Sequence, residues 1–404
     1  MNRRILILGA RVYQLPLIRK ALSLGHTVHV ASYDQNDPGM KIAHKAWTVD
    51  TTDKDNILAI CRENQIDMII TVGTDVAVPT IGYVNERLKL RGFGYQTGIA
   101  CTNKMIMQQC FKRNNIPSAA SYAAASSREA QEALARVGLP AIIKAPDSSG
   151  SRGIRVINSK TELDAAYHTA QSVSRTGSVL VEELIIGEEF GAQAVVSKGE
   201  VIDLFCHNDT VTNPPVTVPI GHSVPVKFDT SVVDEVSIIT ERAVKALGVR
   251  DAVCNCDFIY CPTGVKVLEI GARLGATGIP EIVKEYYGVD LWEATISLAM
   301  GEGYQPRRTI GTKPFAVAAR LIESPHSGKI MSQNTPAALA SDPNLLSLEL
   351  DYSIGDSVRS FKVGPDRIGL VVVRGSDVDS AETLAEQAAN SIQLNIDEEN
   401  KGEH

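Results

Sequence analysis

No uncharged apolar run in this 404-residue chain reaches the roughly 18 residues that a membrane-spanning helix needs, which argues against a membrane protein. The opening MNRRILILGA enters an apolar strand without a small-residue cleavage site, so a secretory leader is not expected. Charge of one sign is lacking too. With 40 Lys plus Arg against 47 Asp plus Glu, the formal charge is −7, and this mild, dispersed acidity argues against nucleic acid as a partner. A disulfide framework is missing as well: the seven cysteines are an odd, scattered set that fits reduced thiols in a cytoplasm, the location expected here. Internal repeats and low-complexity tracts are absent. What is present is an ordinary 44% of hydrophobic residues, in a length sufficient for two or three domains acting on small molecules.

The first hundred residues alternate β-branched runs with helical patterns: RILILG, LPLIRKALSLG, TVHVAS, DKDNILAICRENQ and DMIITVG. That βαβαβ order predicts a parallel sheet covered by helices. Gly9 stands where a dinucleotide fold places its glycine turn, but the second and third glycines of that fingerprint are missing, so nicotinamide binding is not expected. Asp75, after the third clear strand, either contacts substrate or caps the next helix. From about residue 101 the pattern turns to an amphipathic helix, TNKMIMQQCFKRNNI, and then an Ala- and Ser-rich connector, which predicts a domain boundary. Cys254 and Cys256 suggest half a metal site, but the second half is lacking and AVCNCDFIY reads as a strand with small buried thiols.

Chemistry-bearing residues cluster further on. Strand PAIIKA carries Lys144 into a loop of small residues, Ser148, Ser149, Gly150, Ser151, Arg152 and Gly153, whose backbone N–H groups can approach anionic oxygens. Lys104 and Lys144 together can neutralise a polyphosphate. The segment SVLVEELIIGEEFGAQAVV offers a strand edge followed by carboxylates Glu182, Glu183, Glu188 and Glu189, suited to an adenine and a ribose diol. In the hairpin AVCNCDFIY/VKVLEIGARLG, Asp257 and Glu269 can face the same way, a hard-oxygen pair suited to Mg²⁺. Arg273 can point into the same cleft or simply pair with Glu269.

Lys104, PAIIKAPDSSGSRGIRV, VEELIIGEEF and DFIYCPTGVKVLEIGAR resemble, in order and spacing, the nucleotide- and metal-binding motifs of the ATP-grasp superfamily over roughly residues 1 to 305. The opening GARVYQLPLI and the C-terminal extension also look like members of the branch near phosphoribosylglycinamide synthetase, the carbamoyl-phosphate synthetase large chain and the L-amino acid ligases. The resemblance implies an α/β chain with a Rossmann-like domain over 1–100, an ATP-grasp domain over 101–305 and a small α+β domain over 306–395. A mobile lid would span about 120–186. It implies ATP and Mg²⁺, with Mn²⁺ as a substitute, and assigns residues accordingly. Lys104 and Lys144 would contact phosphates, and the loop from Ser148 to Gly153 would close over them. Glu183 and Ile185 would offer backbone groups to adenine, with Glu182 beside them, and Glu189 would hold the ribose. Asp257 and Glu269 would bind Mg²⁺, and Arg273 would steady the phosphoryl being transferred. One departure stands out: the superfamily usually reads Glu-x-Asn-x-Arg here, and the middle position is Gly271.

The implied reaction is ATP-dependent joining of a carboxylate to an amine through an acyl phosphate. Bicarbonate activation, phosphoribosylglycinamide synthesis and a non-catalytic ATP sensor are the alternatives. For the substrate, Gly275, Thr277 and Gly278 precede a helix start at Pro280, a natural carboxylate-binding place together with Arg273. His207, Asp209 and His222 lie in HNDTVTNPPVTVPIGHSVPV, which is expected to be an irregular wall of the cleft. Expected partners are small-molecule carboxylate and amine substrates, with no nucleic acid and no membrane. A homodimer is expected from the prevalence of closed symmetric assemblies.

Overall fold

The computed structural model describes residues 2–147, 153–212, 218–306 and 313–398. Contacts group the chain into two units, Met1–Phe205 with Phe228–Gly275 and Trp292–Arg307, and Cys206–Lys227 with Ala276–Leu291 and Arg308–His404. Both have the mixed α/β character expected. Among the described residues, no helix is long and apolar enough to cross a membrane.

The first unit opens with a four-stranded parallel sheet in the order Lys45–Thr48, Thr27–Ser32, Arg4–Leu8, Met68–Ile70. Ile5, Leu6, Ile7 and Leu8 are all fully buried, the unbroken apolar run of a strand covered on both faces. Strand Lys45–Thr48 was not anticipated, because KAWT has neither an apolar run nor alternation and sits exposed at the sheet edge. The following helix, Lys54–Glu63, starts where the Asp53 carboxylate accepts the Asn56 N–H at 3.2 Å. Helices Val78–Leu88 and Tyr95–Ala100 meet through glycines: a Cβ on Gly82 would lie 2.4 Å from the Gly94 carbonyl oxygen, and one on Gly98 would lie 2.9 Å from that of Val78.

Helix Lys104–Arg113, capped by the Asn103 side chain, leads to an antiparallel sheet in the order Ser121–Ala124, Val179–Glu183, Ala141–Lys144, Arg155–Ile157. The Ala- and Ser-rich connector is therefore partly a strand. Its low hydrophobicity hid it, and what makes it a strand is the ladder with Val179–Glu183. Helices Ser127–Val137 and Leu163–Val173 supply Ala133, Leu134, Leu163 and Tyr167 to a core with Ile143, Ile157 and Val181. Each fully buried Ile or Leu there contributes about 1.5–3 kcal/mol. Beyond it, Glu188–Ser197, Ala252–Cys261 and Gly264–Gly271 are antiparallel neighbours. Cys254, Cys256 and Cys261 are buried free thiols, as the strand reading required.

Strand Glu200–Val211 passes from the first unit into the second. Here the expectation of an irregular wall is corrected: Asn208–Val211 and Pro219–Val224 pair antiparallel, with Asp209 opposite His222. Prolines misled the reading, since Pro219 is the first residue of its strand and Pro225 follows the last, positions a ladder tolerates. Strands Ala316–Ile322, Gly369–Gly375 and Leu345–Leu350 continue the second unit's sheet. Helix Val378–Ser391 covers one face of it through Ala381, Ala385, Ala388 and Ala389, and Ile282 and Tyr286 of helix Ile279–Tyr287 pack with Val317, Ala319 and Leu321.

In the first turn of that helix, one carboxylate oxygen of Glu281 is buried without a hydrogen-bond partner among the described residues, and burial pushes its pKa up to about 7 against the pull of Arg367. Between the ordinary 4.5 and about 7, the folded state keeps a proton that the unfolded chain has lost. This residue's contribution therefore falls as pH rises through that window. Glu281→Gln should remove the decline, so thermal unfolding midpoints of variant and wild type should diverge from pH 5 to 7.5 with the variant higher. Parallel curves would refute the assignment. Gly82→Ala should cost about 2 kcal/mol, because its methyl group would overlap backbone rather than a side chain that can move. A lower unfolding midpoint checks it.

Candidate active site

The first unit brings most of the expected residues together. Asp257 and Glu269 are directly paired across antiparallel strands, so both side chains stand on one face. A bulge follows immediately, between Asp257 and Phe258. Asn255 Nδ2 donates to Asp257 Oδ1 at 2.9 Å, and Lys104 Nζ lies 2.8 Å from Glu269 Oε2. Lys104 heads its helix, and its backbone N–H donates to the Pro146 carbonyl at 2.8 Å, tying the helix start to the end of the strand carrying Lys144. Burial would discharge its amine, but Glu269, Asp75 and Glu182 outweigh burial and hold the pKa above its ordinary value.

Lys144 forms an ion pair with Glu182 on the neighbouring strand, both largely buried. The second oxygen of Glu182, Oε1, is buried and has no hydrogen-bond partner among the described residues, an acceptor held ready for a donor. Glu183 accepts from the Ala120 N–H at 3.2 Å and from Lys266 Nζ at 3.3 Å. Ile185 lies just past the end of that strand. Glu189 is exposed and two residues from Gly191, the register partner of Asp257, so its side chain is on the same face. Of the small-residue loop, Ser148, Ser149, Gly150 and Ser151 lie outside the described residues, and Gly153 is at its far end with φ +76°.

Arg273 does not pair with Glu269. Its Nε and Nη2 donate to the two oxygens of Asp75 at 2.8 and 3.1 Å, a bidentate pair. Asp75 thereby loses its reading as a helix cap, since the following helix has Ala77 at its N-cap and no side-chain cap. Burial would raise the Asp75 carboxyl, but the guanidinium wins and holds it below the usual carboxylate range. Arg273 is held above its ordinary value by Asp75, Asp257 and Glu269 in spite of burial. A cavity of ≈150 Å³ is lined by Asp75, Asn103, Lys104, Asp147, Arg175 and Glu269. Sequence reasoning missed Arg175, which carries no motif, and gave no role to Asp147, which lies inside the quoted strand-loop motif. Asp75 had only its place at the carboxyl end of a parallel strand to mark it.

The donor set suits a metal–nucleotide complex. Two cross-strand carboxylates offer hard oxygens, Lys104 meets one of them, Lys144 pairs with Glu182, and the orphaned Glu182 oxygen can take a ligand hydroxyl or amino group. Gly275 donates its N–H to Gln193 Oε1 at 2.9 Å, and so is engaged within the protein.

The remaining expected residues belong to the second unit. Thr277 has φ +60°, an uncommon conformation for a β-branched residue, and Gly278 caps helix Ile279–Tyr287. His207 and His222 are buried, and both Nδ1 atoms lie 2.8 Å from Oδ1 of Asp209. Among the described residues these three are the one His/Cys/Asp/Glu group with metal-compatible spacing, their ligand atoms all within 4.8 Å of one another. Convergence of both imidazoles on one oxygen is the geometry of two N–H···O hydrogen bonds. Opposed by burial, the imidazoles still hold the Asp209 carboxyl far below its usual range.

Residues 103–306, half of the chain, match the family described as carbamoyl-phosphate synthase L chain, ATP binding domain, and residues 320–397 match L-amino acid ligase C-terminal domain 2. The L-arginine-specific L-amino acid ligase of Bacillus subtilis is 23% identical over 76% of this chain and 75% of its own length. The formate-dependent phosphoribosylglycinamide formyltransferase of Corynebacterium jeikeium is 24% identical over 97% of this chain and 94% of its own. The crystal structure of phosphoribosylglycinamide synthetase from Anaerococcus prevotii superposes with a TM-score of 0.80 at 25% identity, covering 98% of this chain and 100% of that one. With its paired carboxylates, lysines and arginine gathered in the segment that carries the family match, the chain belongs to the ATP-grasp ligases, enzymes that use ATP with Mg²⁺ to act on small molecules.

Proposed function

We propose that this ligase activates a small carboxylic acid, an amino acid or a close relative, as an acyl phosphate and joins it to an amine, releasing ADP and phosphate. The observation that carries the reading is the convergence of Lys104, Glu269, Asp257 and Arg273 in one unit with the Lys144–Glu182 pair. The amino-acid choice is supported by the L-amino acid ligase match at 320–397 and by the B. subtilis relative.

Lys104 and Lys144 neutralise the phosphates, and water has to be kept from the acyl phosphate, which it would hydrolyse. The Glu183 carbonyl and Ile185 N–H read the adenine, Glu182 Oε1 takes a donor from the nucleotide, and Glu189 holds the ribose hydroxyls. Asp257 and Glu269 hold Mg²⁺, for which Mn²⁺ can substitute. When bound, the ion offsets negative charge on the phosphates. Arg273 steadies the phosphoryl in transfer. Gly275 in the first unit, and Thr277, Gly278, His207 and His222 in the second, are assigned to the acid and amine substrates; the start of helix Ile279–Tyr287, which has no side-chain cap, suits a carboxylate. The boundaries 1–100, 101–305 and 306–395 are proposed as functional domains, and a homodimer in the cytoplasm as the working form.

ATP-dependent hydroxamate formation with hydroxylamine, across a panel of amino acids and other small acids, tests the reaction. Hydroxamate from one acid identifies the activated carboxylate. ADP release that needs only bicarbonate would replace this reading with carboxyphosphate chemistry. Lys144→Ala and Glu269→Ala should each lower turnover by about 100-fold or more, the usual scale for losing one charge-stabilising group. Unchanged rates in both would sink the site assignment.

A further inference from the structure

Gly271 sits at the end of strand Gly264–Gly271, two residues after Glu269 and two before Arg273. Its backbone is not in the left-handed region, so nothing in the chain path there calls for glycine. What the missing side chain provides is space. A Cβ at this position would lie 3.2 Å from Asp75 Oδ1, with Arg273 Cζ and Nε next at 3.8 Å. The Asp75 carboxylate therefore fills the volume that a side chain at 271 would enter, and from there it grips the guanidinium through Nε and Nη2.

Its arrival is secured by backbone. Val72 forms a parallel bridge with Leu274, and the Gly73 N–H donates to the Leu274 carbonyl at 3.0 Å. Gln14 Nε2 donates to the Val72 carbonyl at 2.7 Å, fixing the same turn from the other side. Three backbone or amide contacts thus aim the 72–75 turn at the 271–274 segment, and Arg273 is left little rotational freedom.

We infer that Asp75 and Gly271 are a matched pair: Asp75 is the positioning residue for Arg273, supplied by the N-terminal sheet in place of a side chain at 271. The inference rests on the reading of Arg273 as the phosphoryl contact. Asp75 acts through Arg273: it sets the direction of the guanidinium and keeps a negative charge beside it. A Cβ at 271 would press the Asp75 carboxylate aside by a few tenths of an ångström, and a longer side chain there would compete with it for the place beside the Arg273 guanidinium.

The test is a swap in the full-length protein with Asp75→Ala, Gly271→Asn and the double variant. Two readouts are needed: the ¹⁵N-labelled arginine Nε–H signal of Arg273, assigned by its loss in Arg273→Lys, and ADP release from MgATP with a mixture of the twenty protein amino acids. A partly buried bidentate pair should give wild type an exchange-protected Nε–H signal. Asp75→Ala should lose that protection and cut turnover about 10- to 100-fold, the scale for removing a residue that orients a ligating group, with KM for ATP within about threefold. Gly271→Asn alone should also lose protection, because its side chain displaces Asp75. In the Asp75→Ala background the same Gly271→Asn change should restore protection and raise turnover. An effect of Gly271→Asn that has the same sign in both backgrounds overturns the matched pair, and the Nε–H signal decides this even where turnover is low. Calorimetric binding of MgATP separates the two levels of inference. If Lys144→Ala and Glu269→Ala bind and turn over MgATP like wild type, the site reading itself falls; if they fail while the swap shows no reversal of sign, only the role of Asp75 falls.

Discussion

Asp257 and Glu269 face each other across adjacent strands, and the surrounding structure can be understood as the answer to their repulsion. Directly paired cross-strand residues bring their Cβ atoms to about 5 Å, and two like unit charges at that spacing would cost about 3 kcal/mol at an effective dielectric near 20. Lys104 meets Glu269 at 2.8 Å, and Arg273, two residues past Gly271, is held charged by both acids together with Asp75. To deliver Lys104, its helix must start at Asn103, whose side chain caps it, and must be tied by its first N–H to Pro146. Cations brought this close to an acidic pair also stand where a metal-bound polyphosphate would need them. On the proposed reading of the site, folding and nucleotide chemistry place the same demand on these side chains.

The parallel N-terminal sheet takes part in this electrostatic arrangement. Its last strand ends in a turn that is bridged to Leu274 and carries Asp75 to the guanidinium. Burial alone would neutralise a carboxyl so placed; the bidentate pair reverses that and keeps both members charged. Breaking a pair of this kind is costly because the remaining charge stays buried, which makes position 75 as constrained as those on the ATP-grasp strands.

Much of this was legible from the residues. The βαβαβ start, the lysine-bearing strand before a small-residue loop, and the Asp257/Glu269 hairpin follow from periodicity, turn chemistry and the repulsion of like charges. Strand Ser121–Ala124 was not legible, because alanine and serine carry no strand signal and only the ladder with Val179–Glu183 makes them one. The stretch from His207 to Val224 misled for the opposite reason: its prolines signal irregularity, yet Pro219 and Pro225 flank a regular strand. Asp75 was visible as a residue at the cleft end of a strand, but its partner lies 198 residues away and no local pattern joins them.

Side-chain type and spacing within single elements are enough for the α/β class, the order of the nucleotide-binding motifs and the identity of the charged groups. Which charge meets which emerges in the folded chain: Lys104 with Glu269, Lys144 with Glu182, Arg273 with Asp75. It alone grouped Cys206–Lys227 and Ala276–Leu291 with the C-terminal segment. Pairing energies depend on distances of a few ångströms between residues far apart in the chain, set by strand register and by close approaches such as that of the Asp75 carboxylate to Gly271. Neither register nor close approach is a property of any segment read alone.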